Sequence, residues 1–146
     1  MRRTVSRMRD DDPEALRRLV EEEGDAEAAA ALAELAARDG DAETLRFLVD
    51  NGSETAGDLL ADVAATEGDV ASLKFLIDSG NEAAADRLTA IAVSGQDEEL
   101  LSYLVDSGHD PAADAWAQIA AAHGDTGTLR RLADEGSDVA ERLLRG

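Results

Sequence analysis

The sequence predicts an all-α protein, an α-solenoid of stacked helix-turn-helix repeats with about ten short helices. One leucine recurs every 28 or 29 residues, apolar residues fall at helical spacing, and both ends of each segment carry helix-terminating residues. The 146 residues suit one compact domain or one short repeat array.

The repeat is visible as soon as the recurring leucine is aligned. The steps from Leu16 to Leu45, Leu73, Leu101 and Leu129 are 29, 28, 28 and 28 residues. The segments around it read PEALRRLVEEEG, AETLRFLVDNG, VASLKFLIDSG, EELLSYLVDSG and TGTLRRLADEG. A second set lies between them: AAAALAELAARDG, AGDLLADVAATEG, AADRLTAIAVSG, AADAWAQIAAAHG and the truncated DVAERLLRG. Helical hairpins of this size gain a core by packing on the next copy, which predicts a quasi-linear stack.

Each segment begins and ends with residues typical of helix termini. The predicted starts carry a side-chain oxygen that accepts from orphan N–H groups, at Asp12, Asp25, Asp41, Ser53, Asp69, Asn81, Asp110, Asp125 and Ser137. Pro13 and Pro111 each follow such a cap, at the first helical position, where a missing N–H costs nothing. The predicted left-handed closing residues are Gly24, Gly40, Gly52, Gly68, Gly80, Gly95, Gly108, Gly124 and Gly136. The loops are so short that neighbouring helices are expected to run antiparallel.

One position distinguishes internal repeats from terminal ones. Two residues after the aligned leucine, the internal copies carry Phe47, Phe75 and Tyr103, whereas the first and last copies carry Arg18 and Arg131. An aromatic residue between neighbours and a charge at each end are typical of a repeat stack that caps itself against solvent.

Two stretches, ADVAATEGDVASLKFLIDSGN and AQIAAAHGDTGTLRRLADEGSD, resemble the helix-turn-helix part of ankyrin repeats. The resemblance lies in the paired alanines (Ala64 and Ala65, Ala120 and Ala121), the Gly-Asp turn, the leucine-rich second helix and its closing glycine. Ankyrin repeats are typically about 33 residues long, and about five residues are missing here, between Gly52 and Val63 and at the matching places of the other repeats. The missing part is where the family carries its β-hairpin finger, and residues 59–62 read Leu-Leu-Ala-Asp in place of Thr-Pro-Leu-His.

The resemblance implies a single repeat domain over residues 1–146. An N-terminal tail and capping helix (1–24) precede the repeats, and a partial capping helix (137–146) follows them. The implied full repeats are 25–52, 53–80, 81–108 and 109–136. Helix stacking is expected to carry over from the family, whereas finger-mediated binding is not.

The charge is strongly negative and unevenly placed. With 33 acidic residues against 14 Lys and Arg, the formal net charge is −19, and residues 19–128 alone carry 25 acidic and four basic side chains. Such a body is expected to repel nucleic acid, because binding to DNA depends on neutralising phosphates. Acid-rich, lysine-poor and alanine-rich usage is typical of salt-adapted proteins, although a high-GC genome or a designed sequence gives a similar bias.

The sequence also bounds the location of the protein. No stretch approaches the roughly 20 apolar residues needed to cross a bilayer, and the arginine-bearing N-terminus has no apolar segment typical of a secretory signal. Cysteine is absent, so the redox compartment is left open. We expect a soluble, cytoplasmic protein with no membrane contact.

The motifs of catalysis and cofactor binding are missing from the sequence. The two histidines, His109 and His123, have neither the spacing nor the companions of a transition-metal site, and His123 is interpreted as a cation at a helix C-terminus. The acidic group Asp39, Asp41 and Glu43 is interpreted as a helix junction rather than a calcium loop, because Thr44 stands where glycine is required. No nucleophile elbow, phosphate loop or dinucleotide fingerprint is present. We expect no enzyme, no cofactor and no metal, and residues 10–12 are interpreted as a cap and solvated turn.

Two sets of exposed positions are candidates for partner binding. Asp58, Asp86 and Asp114 recur every 28 residues, either as a contact row or as aspartates favoured by the helix dipole. A second set varies at two registers of the first helices, through selection for binding or through drift: Glu34, Asp62, Ala90 and Gln118 at one, and Arg38, Thr66 and Ala122 at the other. Trp116 replaces a core leucine and is expected to be buried. The candidate partner-binding residues are therefore Glu34, Asp58, Asp62, Asp86, Asp114 and Gln118.

Three functions are compatible with these features. The leading hypothesis is a non-catalytic protein-protein interaction module whose helix face binds a partner protein of basic character. The second is an acidic mimic of nucleic acid that sequesters a basic protein, which predicts carboxylates concentrated on one face. The third is a structural or designed scaffold without a natural ligand, for which the basic ends and acidic middle allow self-association.

Overall fold

A computed structural model describes residues 12–146, and α-helices make up most of this part of the chain. The ten helices are α1 (Pro13–Glu23), α2 (Ala26–Asp39), α3 (Ala42–Asp50), α4 (Glu54–Glu67), α5 (Val70–Asp78), α6 (Glu82–Gly95), α7 (Glu98–Asp106), α8 (Asp110–Ala122), α9 (Thr126–Asp134) and α10 (Asp138–Arg145). No β-strand occurs in residues 12–146. The predicted all-α class and the expectation of about ten short helices are confirmed for these residues. None of these helices is long and apolar enough to cross a membrane.

Part of the predicted N-terminal region lies outside the described residues. It comprises the four arginines Arg2, Arg3, Arg7 and Arg9, together with Asp10 and Asp11 of the predicted turn. Asp12, the last residue of that turn, caps α1 by accepting a hydrogen bond from the Glu14 N–H at 3.1 Å.

The described residues divide into two compact units, residues 12–76 and residues 77–146. In the first unit, α1 contacts α2, α2 contacts α3 and α4, and α3 contacts α4. In the second unit, α6 contacts α7 and α8, and α7 contacts α8. Helices α8, α9 and α10 all contact one another. Within each unit, neighbouring helices in these pairs therefore pack on each other, and so do the first helices of successive repeats.

The core of both units consists of leucine and alanine at the repeat register. The aligned leucines are all buried, at most 3% exposed. A second row three residues later is equally buried: Leu48, Leu76, Leu104 and Leu132. On the first helices, alanines at Ala28, Ala56, Ala84, Ala112 and Ala140 are at most 4% exposed. Since each fully buried leucine contributes roughly 1.5–3 kcal/mol, this recurring pair of leucine rows is the main source of stability.

Most predicted helix starts are confirmed, and three share one geometry. Asp41, Asp69 and Asp125 each accept the backbone N–H of the residue three positions later, at 3.1–3.2 Å. The second carboxylate oxygen accepts the hydroxyl of that same residue, Thr44, Ser72 or Thr128, at 2.6–2.7 Å. The hydrogen bond from the Ser72 hydroxyl is the largest cause of the lowered pKa of Asp69, and Thr128 lowers the pKa of Asp125 in the same way.

Two assignments of helix starts were wrong or incomplete. The predicted cap Asp110 is instead the first residue of α8, so Pro111 lies at the second helical position. The N-cap is His109, whose side chain makes no capping hydrogen bond. His109 holds this place because the repeat register aligns it with the caps Asp25, Ser53, Asn81 and Ser137. The start of α7 has no predicted cap, and the structure shows that Asp97 caps it.

The predicted left-handed glycine is wrong at one helix end. Gly95 is the last residue of α6, and Gln96 takes the left-handed conformation with φ of 50°. The reason is the register, because Asp97 must donate its N–H to the Ala92 carbonyl at 2.8 Å, as Asp41 and Asp69 do to Ala36 and Ala64. Packing therefore fixes the left-handed position of the turn at residue 96, and Gly95 lies one residue before it.

The two phenylalanines of the second helices are covered by arginines. The Arg17 guanidinium lies 3.9 Å from the centroid of the Phe47 ring, and Arg46 lies 4.8 Å from that of Phe75. These two rings are half-buried, and the arginine of the preceding copy covers part of their outer face.

The two arginines predicted to cap the array are both exposed, but only one has a described ring contact. Arg18 is exposed on α1. Arg131 lies 5.1 Å from the centroid of the Trp116 ring, which is 5% exposed as expected for a core residue. The Trp116 indole N–H donates to Glu98 Oε1 at 2.9 Å, so the buried polar edge of the ring is satisfied.

Gln96→Gly is expected to raise the free energy of unfolding by about 0.5–1 kcal/mol, because glycine adopts the left-handed conformation without a Cβ penalty. Urea unfolding followed by circular dichroism measures the change. Gly68→Ala at the same register is the control. It should lower stability through backbone strain alone, because Gly68 is left-handed and no atom lies within 4 Å of the added Cβ. A loss of stability in Gln96→Gly would contradict this account.

Asp69→Ala is expected to lower the free energy of unfolding at pH 7 by about 1 kcal/mol, through loss of the cap. Because the pKa of Asp69 is lowered in the folded state, the cap stabilises fully above the unfolded pKa of about 3.9. Its contribution is lost as the pH falls through the folded pKa. The difference between wild type and Asp69→Ala, measured by urea unfolding from pH 7 to pH 2, should therefore shrink below about pH 4. Asp69→Asn keeps an uncharged acceptor and is the control; a wild-type difference constant down to pH 2 would refute the prediction.

Candidate functional site: the groove between α2 and α4

A groove of about 410 Å³ lies between the C-terminal halves of α2 and α4, in the first unit. The two helices contact each other, since both are first helices of their repeats. The groove is lined by Ala37, Arg38, Asp39, Gly40, Leu59, Asp62, Val63, Thr66 and Glu67. We call it the α2–α4 groove.

The α4 side of the groove follows from helical spacing. Leu59, Asp62, Val63 and Thr66 are at i, i+3, i+4 and i+7, which brings them onto one face of α4. Leu59 and Val63 are half-buried, whereas Asp62 and Thr66 are exposed. The α4 face therefore combines an apolar base with a polar border.

The α2 side is formed by the end of the helix and its turn. Gly40 closes α2 in the left-handed conformation, with φ of 70°. A Cβ at Gly40 would lie 3.4 Å from Glu67 Oε2, so the absence of a side chain leaves room for this carboxylate over the turn. Arg38 and Asp39 on the last turn of α2 are both exposed.

The balance of charge in the α2–α4 groove is negative. Asp39, Asp62 and Glu67 supply three carboxylates, and Arg38 supplies one guanidinium. The Thr66 hydroxyl donates to the backbone carbonyl of Asp62 at 3.0 Å, so it is turned toward its own helix. The groove therefore offers an apolar base and a border in which carboxylates outnumber cations.

The candidate residues of the first unit have different surroundings. Glu34 on α2 and Asp58 on α4 are both exposed, and neither lines the α2–α4 groove. Asp62 does line it, opposite Arg38 and Asp39 of α2. Of the three predicted candidates in this unit, Asp62 is the one that lines the α2–α4 groove.

The candidate residues of the second unit include one with a specific contact. Asp86 on α6 has Oδ1 at 3.2 Å from Nε2 of His109, a ring only 15% exposed, although that nitrogen makes no hydrogen bond. Asp114 on α8 lines an open cleft of about 510 Å³ together with His109. Gln118 is exposed on α8. Asp86 and Asp114 therefore lie on contacting helices, Asp86 against His109 and Asp114 in the same cleft as His109.

The 28-residue register separates the residues that packing requires from those it does not. At the position of Asp62, the second unit has Ala90 and Gln118; at that of Glu67 it has Gly95 and His123. Helices α6 and α8 nevertheless contact each other as α2 and α4 do. The carboxylates of the α2–α4 groove are therefore not required for packing one first helix on the next.

Sequence reasoning missed Asp39 and Glu67 as site residues. Asp39 was grouped with Asp41 and Glu43 as a helix junction, and Asp41 does cap α3 through Thr44. Asp39, Glu67, Gly95 and His123 occupy the same position of successive repeats. A comparison of the repeats at this position is the sequence signal that identifies the missed pair, because only the first two copies carry a carboxylate there. No group of three or more histidine, aspartate or glutamate side chains in residues 12–146 is arranged to hold a metal ion.

Comparison of the chain with models of protein families, with curated proteins and with solved structures gave no match in any of the three.

The double substitution Asp62→Gln and Glu67→Gln is expected to change the free energy of unfolding by no more than about 0.5 kcal/mol, since both residues are exposed. Urea unfolding measures this. Leu60→Ala, beside the groove but fully buried, is the contrasting control and should cost about 2–5 kcal/mol. A loss above 1 kcal/mol in the double variant would mean that these carboxylates serve the fold.

Proposed function

We propose that this chain is a non-catalytic protein-protein interaction module that binds a partner protein through the exposed faces of its first helices, at the α2–α4 groove. The observation that carries the proposal is the groove itself. It joins half-buried apolar side chains to exposed charges, a combination typical of sites that hold a protein segment.

The proposed architecture is an ankyrin-like stack of shortened helical repeats. In its support, first helices contact first helices within each unit, and leucine and alanine layers recur at the repeat register. Helix α4 begins at Glu54, directly after the turn at Gly52, so helix occupies the stretch where an ankyrin finger would stand. In such an array the helix faces and short connections provide the surface for a partner.

The distribution of carboxylates favours this function over mimicry of nucleic acid. Mimicry predicts acidity concentrated on one face. Each of the ten helices in residues 12–146 carries an exposed carboxylate, for example Glu43 on α3, Asp78 on α5 and Glu99 on α7. Acidity spread over first and second helices alike is explained more simply by adaptation to high salt.

Filling the groove tests the proposal without assuming the chemistry of the partner. Thr66→Tyr adds a ring at an exposed position of the groove, and Ser94→Tyr adds the same ring at the same register of α6. Each tagged variant is used for affinity capture from a lysate of the source cells at matched salt. We expect wild type and Ser94→Tyr to retain one protein in stoichiometric amount and Thr66→Tyr to lose it.

Circular dichroism of both tyrosine variants first establishes that they are folded. Capture of the same protein by Thr66→Tyr, or no reproducible capture by wild type, would refute the proposed function. The first outcome would move the interaction to another surface, and the second would favour a structural role.

A further inference from the structure

We propose that the partner segment of the α2–α4 groove presents an aliphatic side chain next to lysine or arginine. The aliphatic group would contact Leu59 and Val63, and the cation would lie between Asp62 and Glu67. This inference rests on the proposed function and adds the chemistry by which the groove selects its partner.

The apolar half of the inference follows from the base of the groove. Leu59 and Val63 are half-buried, and Ala37 lies across from them on α2. An aliphatic side chain placed there removes apolar surface of both partners from water, which is the main favourable term in protein association. The groove volume of about 410 Å³ accommodates a short peptide segment rather than a folded domain.

The basic half follows from charge complementarity. Three carboxylates and one guanidinium border the groove, within a chain of formal net charge −19. Complementary potentials steer encounter and disfavour partners of like charge. A cationic side chain is therefore favoured here, and an acidic one is rejected both by the border and by the chain as a whole.

The other pair of first helices supplies an internal comparison. At the register of Asp62 and Thr66, α6 presents Ala90 and Ser94, which are exposed and uncharged. The residue after Ala90 is Ile91, half-buried like Val63. At the register of Leu59, however, α6 has Arg87 and α8 has Ala115. Neither the aliphatic base nor the acidic border of the α2–α4 groove therefore recurs in full on the other pair of helices.

The test uses three synthetic peptides that differ only in the central four residues. They are Ser-Gly-Leu-Lys-Arg-Leu-Gly-Ser, its acidic counterpart with Glu-Glu in place of Lys-Arg, and its polar counterpart with serine in place of both leucines. Each is titrated into the full-length, uniformly ¹⁵N-labelled chain at 0.15 M NaCl. Amide shifts in two-dimensional spectra give the site of binding and the affinity.

The expected result is binding of the first peptide with shifts at Gly40, Val63 and Thr66. The acidic and polar peptides should each bind at least roughly tenfold more weakly. The double variant Asp62→Gln with Glu67→Gln should weaken the first peptide by a similar factor. The control double variant, Glu22→Gln with Glu43→Gln, removes the same charge from exposed positions outside the groove and should leave affinity unchanged.

Several outcomes would overturn the inference. Equal weakening by the two double variants would mean general attraction to an acidic chain, and shifts confined to α6 and α8 would move the site. Concentration-dependent shifts in the α2–α4 groove without peptide, with a doubled mass by light scattering, would make a second copy the occupant.

The two proposals fail in distinguishable ways. If the first peptide does not bind while affinity capture still depends on Thr66, the chemistry assigned to the partner is wrong and the interaction function stands. If Thr66→Tyr captures the same protein as the wild type, or if the wild type captures no protein reproducibly, the proposed function itself fails.

Discussion

The constraint on which the rest of the structure depends is the 28-residue register of buried leucine and alanine. Leu45, Leu73 and Leu101 are fully buried, and each lies on a second helix that cannot bury its apolar face alone. The first helices carry buried alanines at the same recurring register, such as Ala56 in the first unit and Ala84 in the second. Any shift of one helix along its axis would expose a leucine and bring a polar residue into the layer.

That register decides local features against the preference of single residues. Gln96 adopts a left-handed conformation although glycine is next to it, because the turn between α6 and α7 must match its counterparts in the other repeats. His109 occupies a capping position without capping, since the start of α8 is fixed in the same way. Local preference contributes about 1 kcal/mol at such positions, whereas the burial of a leucine contributes more.

The same register frees the outward positions of the first helices. Since α6 packs on α8 with Ala90 and Gln118 where α4 has Asp62, the outward residue does not decide the packing. The charges of the α2–α4 groove can therefore vary with the demands of a partner while the core stays constant. In this arrangement the buried residues hold the helices in the same packing in each unit, and a few outward side chains determine the proposed specificity.

The sequence by itself determined the helices, the recurring core and nearly all helix termini. These follow from periodicity and from capping chemistry within a few residues, as at Asp41 with Thr44 or at Gly40. It also identified Asp62 as an outward, variable position. The tertiary structure decided which residues share a groove with it. Asp39, Glu67 and Leu59 come together only because α2 packs on α4, and a contact between residues far apart in sequence has no local signal. Packing likewise decided the departures at Gln96 and His109, because the burial of several leucines outweighs the preference of one residue at a helix end.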